Sequence, residues 1–183
     1  MALERTLVIL KPDALRRGLA GVILERFERV GLRIVAMRLA RPLAETFAQH
    51  YRVEQLAPAI GRKSREAGTD VGDDEVAYGR MVVGWTVAYM TGGPVLLLVL
   101  EGEGAIRLVR MLVGATDPMR AAPGTIRGDL GRDSIAAANR EQRGTENLVH
   151  ASDKDESADD PYAEANHEIG LWFGDAALQN RPA

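Results

Sequence analysis

The chain has no cysteine among its 183 residues. That excludes disulfide staples and thiolate metal centres, and it leaves a reducing cytoplasm as the expected compartment. Long apolar runs are missing too: the strongest, residues 94–100, has the length of a strand rather than of a bilayer span, so no membrane association is expected. No basic segment followed by an apolar core stands near Met1, so no signal peptide is expected. Net positive charge is absent: a balance of −3 and a pI near 5.7 exclude a general nucleic-acid binder, which needs a basic surface. Lysine is scarce, occurring only at 11, 63 and 154 among 23 basic residues, so Lys11 inside an apolar segment stands out. The glycine motifs that cradle phosphate are also lacking. There is no GxxxxGK[ST], and Gly102-Glu103-Gly104 cannot extend to GxGxxG because Arg107 occupies the third glycine position. A phosphate bound here must be held by side chains.

What is present reads as one α/β domain over residues 1–183, large enough to bury its own core, with no internal repeat. Residues 6–10 form a buried strand that stops at Lys11-Pro12-Asp13. Pro12 suits a first helical turn, and Leu15, Leu19, Val22, Ile23 and Phe27 continue at helical spacing until Gly31. Residues 32–39 alternate as a strand, and a helix follows from Ala44 past Tyr51. Residues 61–79 are polar and glycine-rich, without apolar periodicity, and read as a loop insertion. Residues 81–89 are helical, 95–100 a central strand, and Ile106, Val109, Leu112 and Val113 mark the next helix. Residues 115–146 are rich in turn formers, with a short helix over 134–140. Leu148-Val149 is a fourth strand, and a last helix covers 163–171. This order predicts a βαββαβ plan: an antiparallel sheet with helices on one face.

The richest segment is Asn147-Leu148-Val149-His150-Ala151-Ser152-Asp153. It sets an imidazole at the end of an apolar run among small polar groups, where a side chain can be rigid yet accessible. Neutral imidazole is a nucleophile at cellular pH and can carry a covalent intermediate. Alone, such a histidine is more often structural. Upstream, however, Lys11, Arg110, Thr116 and Arg127, the last in Pro123-Gly124-Thr125-Ile126-Arg127-Gly128-Asp129, supply the donors that a transferred phosphoryl group requires. His50, beside Tyr51 on a helix, reads as half-buried, and His167 as exposed; both fit the chemistry less well.

Over residues 4–173 the chain resembles the nucleoside diphosphate kinase family. The resemblance rests on ERTLVILKPDALRRGLAGVILERFERVGLRIVAMRLA, YMTGGPVLLLVLEG, GATDPMRAAPGTIRGD, NLVHASD and HEIGLWF, in the family's order and at compatible spacing. It implies a ferredoxin-like α/β fold (an α+β sandwich) and a ping-pong cycle. In that cycle a nucleoside triphosphate, typically ATP, phosphorylates His150, and a nucleoside diphosphate such as GDP then takes the group. Carried onto matching positions, Lys11 and Arg127 would hold the terminal phosphoryl group and Arg110 and Thr116 the β-phosphate. Tyr51 would lie near Lys11, and Asn147 would reach the sugar hydroxyl. Ser152 and Glu168 would support the histidine. Magnesium would come bound through the nucleotide phosphates, so no protein metal ligand is assigned. A homo-oligomer (hexamer, tetramer or dimer) is expected, with no requirement for nucleic acid. Because donor and acceptor share one pocket, base specificity should be loose.

The chain departs from the family pattern in places. Ala151 follows the histidine where glycine is usual, and Val82 stands where a base-stacking phenylalanine is expected, with Tyr78 or Trp85 as substitutes. Residues 61–79, 131–146 and 159–166 read as insertions, and 174–183 as a short tail. The last insertion lengthens the stretch between His150 and Glu168, leaving Glu164 or Glu156 as alternative partners of the histidine. Two other readings stand beside the kinase: a catalytically reduced nucleotide-binding scaffold, and a ferredoxin-like sensor of a small molecule.

Overall fold

The structure, a computed structural model, describes residues 3–154 and 159–174. In chain order the elements are β1 (Leu3–Leu10), α1 (Pro12–Arg16), α2 (Ala20–Glu28), β2 (Arg33–Ala40), α3 (Ala44–Tyr51), α4 (Val53–Glu66) and α5 (Glu75–Thr91). They continue with β3 (Val95–Glu103), α6 (Ala105–Val113), α7 (Ile126–Leu130), α8 (Ile135–Arg140), β4 (Val149–Ala151) and α9 (Ala163–Phe173); a 3₁₀ turn, Pro118–Arg120, precedes α7. The strands form one sheet in the order β2-β3-β1-β4, with every neighbouring pair antiparallel. This is the ferredoxin-like arrangement: β1 and β2 run parallel with β3 inserted between them.

Helices cover both faces of the sheet rather than one. Val8, Leu10, Leu98 and Leu100 pack with Ile23, Phe27 and Val109 from α2 and α6. The alternate residues Leu7, Ile9, Leu97 and Val99 pack with Phe47, Val83, Met90, Ile169 and Trp172 from α3, α5 and α9. Unbroken apolar runs such as VLLLVL signal this, since a strand with one wet face would alternate.

The helix expected to run from Pro12 to Gly31 is broken. The backbone N–H groups of Gly18 and Leu19 bond to the carbonyls of Leu15 and Ala14, closing α1 with a glycine at φ +66° before α2 begins. The expected loop over 61–79 is mostly helix. α4 runs to Glu66 and α5 starts at Glu75, capped by the Asp74 side chain accepting from the Ala77 N–H at 2.8 Å. The glycines there serve helix crossing. A Cβ on Gly61 would lie 2.1 Å from the Glu75 carbonyl oxygen, and one on Gly79 would lie 2.0 Å from that of Ala57. Only glycine lets these two backbones touch. The short helix over 134–140 forms as α8, with Ser134 accepting from Ala137 N–H at 3.0 Å.

Candidate active site

His150 sits in the middle of β4, opposite Ile9 of β1. Its backbone position depends on Leu148, a non-glycine residue at φ +69°. That strained conformation is held from both sides: Leu148 N–H donates to Asp13 Oδ2 at 3.2 Å, and Leu148 C=O accepts from Lys11 N–H at 2.8 Å. Asp13, fully buried, also accepts from the Tyr89 hydroxyl at 2.5 Å. Nothing in the sequence marked Asp13 beyond its place after Lys11-Pro12, yet it fixes the entry to the histidine strand.

The imidazole Nε2 lies 3.0 and 3.1 Å from the two oxygens of Glu168, which therefore accept its proton and leave Nδ1 as the unprotonated nitrogen. Ser152 Oγ donates to Glu168 at 2.5 Å and accepts from Leu7 N–H at 3.2 Å. It is buried behind the cleft rather than lining it. Burial, then the charge of Lys11, depresses the His150 pKa to about 3, so the ring is neutral across the physiological range. Burial pushes the Glu168 carboxyl up. Of the alternative partners, Glu164 instead accepts the Asp153 N–H at 2.9 Å, and Glu156 lies outside the described residues.

The cations converge on this ring. Lys11, at the end of β1 and 7% exposed, has its pKa lowered to about 7, chiefly by burial and next by the charge of Arg127, against the pull of Asp13. Arg127 on α7 donates to the carbonyls of Asn147 at 3.0 Å, Gly114 at 2.9 Å and Val149 at 2.6 Å. It thereby clamps both flanks of the histidine strand and still holds two N–H groups in reserve. Burial, then Arg110, lowers its pKa to about 10. Arg110, at the end of α6, is half-exposed and paired with Asp153 at 2.8 Å. Asn147 Nδ2 donates to the Thr116 carbonyl at 2.8 Å, while its Oδ1 is buried without a partner. A buried orphan acceptor in a cleft calls for a donor from outside the protein.

Lys11, Tyr51, Val82, Arg110, Thr116, Arg127, Asn147, His150 and Glu168 all border one cleft of about 330 Å³, within the size range of small-molecule sites. Tyr51 stands edge-on to His150, ring centroids 6.2 Å apart, with its hydroxyl pKa raised by burial and then by Glu168. Val82 borders the cleft from α5. Tyr78 and Trp85 pack on each other and do not border it, so neither takes the place of the missing stacking ring.

His50 is misjudged by its sequence context. It is 4% exposed, not half-buried, and its ring meets that of His150 edge-on at 4.5 Å. His50 Nδ1 accepts from the Trp172 indole N–H at 3.2 Å and lies 3.4 Å from Glu168, so the proton of the neutral ring sits on Nε2. Burial, then His150, holds its pKa at about 3. His167 borders the cleft as well, near the Gln49 carbonyl at 3.4 Å. The usable signal was spacing: Phe47, His50 and Tyr51 share one face of α3.

Comparison with known proteins gives the chain its family. The model of the family described as nucleoside diphosphate kinase matches residues 4–62 and 75–178. A nucleoside diphosphate kinase from Pyrobaculum aerophilum is 43% identical over 183 residues, covering 94% of this chain and 96% of the relative. A crystal structure of an NDP kinase from that organism superposes with a TM-score of 0.83, at 42% identity and with 94% and 96% of the two chains covered. A nucleoside-diphosphate kinase from Borrelia burgdorferi, described as a transition state mimic with bound vanadate and ADP, superposes with a TM-score of 0.75. It is 35% identical over 99% of this chain and 93% of that one.

Proposed function

The chain belongs to the nucleoside diphosphate kinase family and is a phosphotransferase, and on that premise we propose the residues and steps by which it works. The γ-phosphoryl of a nucleoside triphosphate, typically ATP, passes to His150 Nδ1. The N–P bond forms as the bond to the bridging oxygen breaks, and the electron pair leaves on the nucleoside diphosphate. A second diphosphate, such as GDP, occupies the same cleft and takes the group in the reverse sense, closing a ping-pong cycle. The observation that carries this is the pairing of His150 Nε2 with Glu168, which fixes the tautomer and leaves Nδ1 free to attack. As positive charge develops on the phosphorylated ring, the Glu168 carboxylate stabilises it, and Ser152 holds that carboxylate in place.

Lys11 and the spare N–H groups of Arg127 hold the transferred oxygens, and Arg110 and Thr116 the β-phosphate, with charge placed before the reaction begins. Phosphate binding would draw Arg110 away from Asp153. Tyr51 packs beside the transferred group, the orphan Asn147 Oδ1 accepts from a sugar hydroxyl, and Val82 borders the base. Magnesium fits as a companion of the nucleotide. Cations dominate the phosphate end of the cleft, and among the described residues the one compact group of potential donors, His50, His150 and Glu168, is engaged internally. When bound, the ion would neutralise phosphate charge.

The proposal includes one domain, a cytoplasmic setting and a homo-oligomer (hexamer, tetramer or dimer). Supporting the last, β2 is a sheet edge and exposes Val35, Met37 and Leu39. Among the described residues no helix is long and apolar enough to cross a membrane. The test is phosphoenzyme formation from γ-labelled ATP: acid-labile, alkali-stable label is expected on the protein and absent from His150→Ala. Equal labelling of the two proteins would refute the assignment.

A further inference from the structure

Two of the three segments that read as insertions, 61–79 and 131–146, meet in space, and where they meet the cleft continues. The family match skips residues 63–74, the stretch where α4 ends and turns back into α5. Its Thr69 Oγ1 accepts from the Asn139 carboxamide on α8 at 3.1 Å, and the Glu66 carbonyl accepts from Arg120 at 2.7 Å. The α8 loop is itself braced: Asp133 accepts two N–H groups of Arg143 at 2.6 and 2.9 Å and the backbone N–H of Glu146 at 2.9 Å. Gly144 packs so tightly on Tyr89 that a Cβ would lie 2.7 Å from it. The far wall of the cleft is therefore built and rigid, not a floppy lid.

Chemically that wall differs from the phosphate end. Ile60 and Lys63 from α4, Val82 from α5, Val113 at the end of α6, and Ile135 and Asn139 from α8 border the same cleft as His150. Aliphatic side chains can flank a flat base but stack on it less well than an aromatic ring, so the base edge carries more of the recognition. Two polar groups are positioned for it. The Asn139 side chain is 4% exposed and anchored through its amide nitrogen, and its oxygen has no hydrogen-bond partner among the described residues. The Lys63 ammonium has no acid partner among the described residues.

Resting on the phosphotransfer reading above, we propose that Asn139 and Lys63 read the base edge and bias this otherwise tolerant cleft toward guanine nucleotides. Guanine sets the acceptors O6 and N7 beside the donors N1–H and N2–H₂, matching a lysine that only donates and an amide oxygen that only accepts. Uracil offers Asn139 a single donor, N3–H, and no amino group. Hypoxanthine differs from guanine only in lacking N2–H₂. A site that hydrogen-bonds its ligand rejects the analogue that leaves its polar groups unpaired.

The experiment measures kcat/KM with ATP as donor and GDP, IDP or UDP as acceptor, for wild type, Lys63→Ala and Asn139→Leu, with calorimetric Kd for the same diphosphates and for ADP. Wild type should favour GDP over UDP by about tenfold and over IDP by roughly threefold or more. Asn139→Leu should erase the GDP–IDP gap, and Lys63→Ala, on the exposed side of α4 where folding is not at stake, should shrink the GDP–UDP gap. Equal kcat/KM for GDP and UDP in wild type, or a preference that survives both substitutions, overturns the proposal. If no acceptor is phosphorylated at all, the catalytic reading fails instead, and the Kd ratios alone decide on base recognition.

Discussion

The two ends of the cleft are built on opposite principles. At the phosphate end, groups that prefer water are buried: Lys11 and Arg127 are each less than a tenth exposed, and two histidines are held neutral with pKa values near 3. The hydrogen bonds of Arg127 position the backbone around His150. At the base end the wall is a helix hairpin closed by glycines, faced with aliphatic side chains and bearing one exposed lysine. Preorganised charge is costly to fold but effective at a transition state. A wall of packed helices is inexpensive, tolerant of change, and acts on which ligand binds rather than on how fast it reacts.

That contrast can be tested from its strongest consequence to its weakest. Deleting the nucleophile in His150→Ala should lower transfer by about four orders of magnitude with little change in nucleotide affinity, read from steady-state rates and calorimetry. Lys11→Ala should lower the rate by several hundredfold or so while the fold persists, checked by circular dichroism alongside kinetics; an unchanged rate would place Lys11 outside the site. Arg127→Met should act on both properties at once. It strips the carbonyls of Gly114, Asn147 and Val149 of their donor, which should cost about 3 kcal/mol in urea unfolding in addition to slowing transfer.

The displaced pKa values of His50, His150 and Lys11 give the phosphate end a pH signature of its own. Between about 3 and the ordinary histidine value of 6.5, the unfolded chain binds protons that the native rings refuse. Stability is therefore complete above the ordinary value and falls as the pH drops through this window. The urea midpoint should decline from pH 7 to pH 4, and less so in His50→Phe. Lys11 has the same sign at the other side: between about 7 and its ordinary 10.5 the unfolded chain holds the extra proton, so its contribution to stability rises with pH. Activity runs the other way, because the ammonium form is the useful one. In the free enzyme kcat/KM should fall above about pH 7, and Lys11→Arg should move that limb to higher pH. The smallest effect belongs to the base-end wall. Gly79→Ala, which would press a Cβ against the Ala57 carbonyl, should raise KM by a few-fold and lower stability by about 1–3 kcal/mol, with kcat nearly unchanged.

Legibility followed the same division. Lys11, Arg110, Arg127, Asn147, His150 and Glu168 could be named in advance because each stands in a short distinctive string, and the structure brings all of them to one cleft. His50 and Asp13 could not be weighed: a histidine next to a tyrosine on a helix is ordinary, and an aspartate after Lys-Pro reads as a turn residue. Their importance arises from what lies across the fold, namely Glu168 and Trp172 for one, and Leu148 and Tyr89 for the other. Polar, glycine-rich residues 61–79 read as a loop because glycine at a helix crossing and glycine in a turn look alike without the partner helix.

By itself the sequence determined the order of the four strands, the exclusion of disulfide and thiolate chemistry, and which histidine and which cations to propose as nucleophile and phosphate-binding groups, because these depend on local composition and on residues close together in the chain. The tertiary structure alone decided that both faces of the sheet are covered, that Glu168 rather than Glu164 meets the ring, and that segments far apart in the chain close the distal wall of the cleft. Those outcomes depend on contacts between residues distant in sequence, whose energies exist only once the sheet has set the spacing between them.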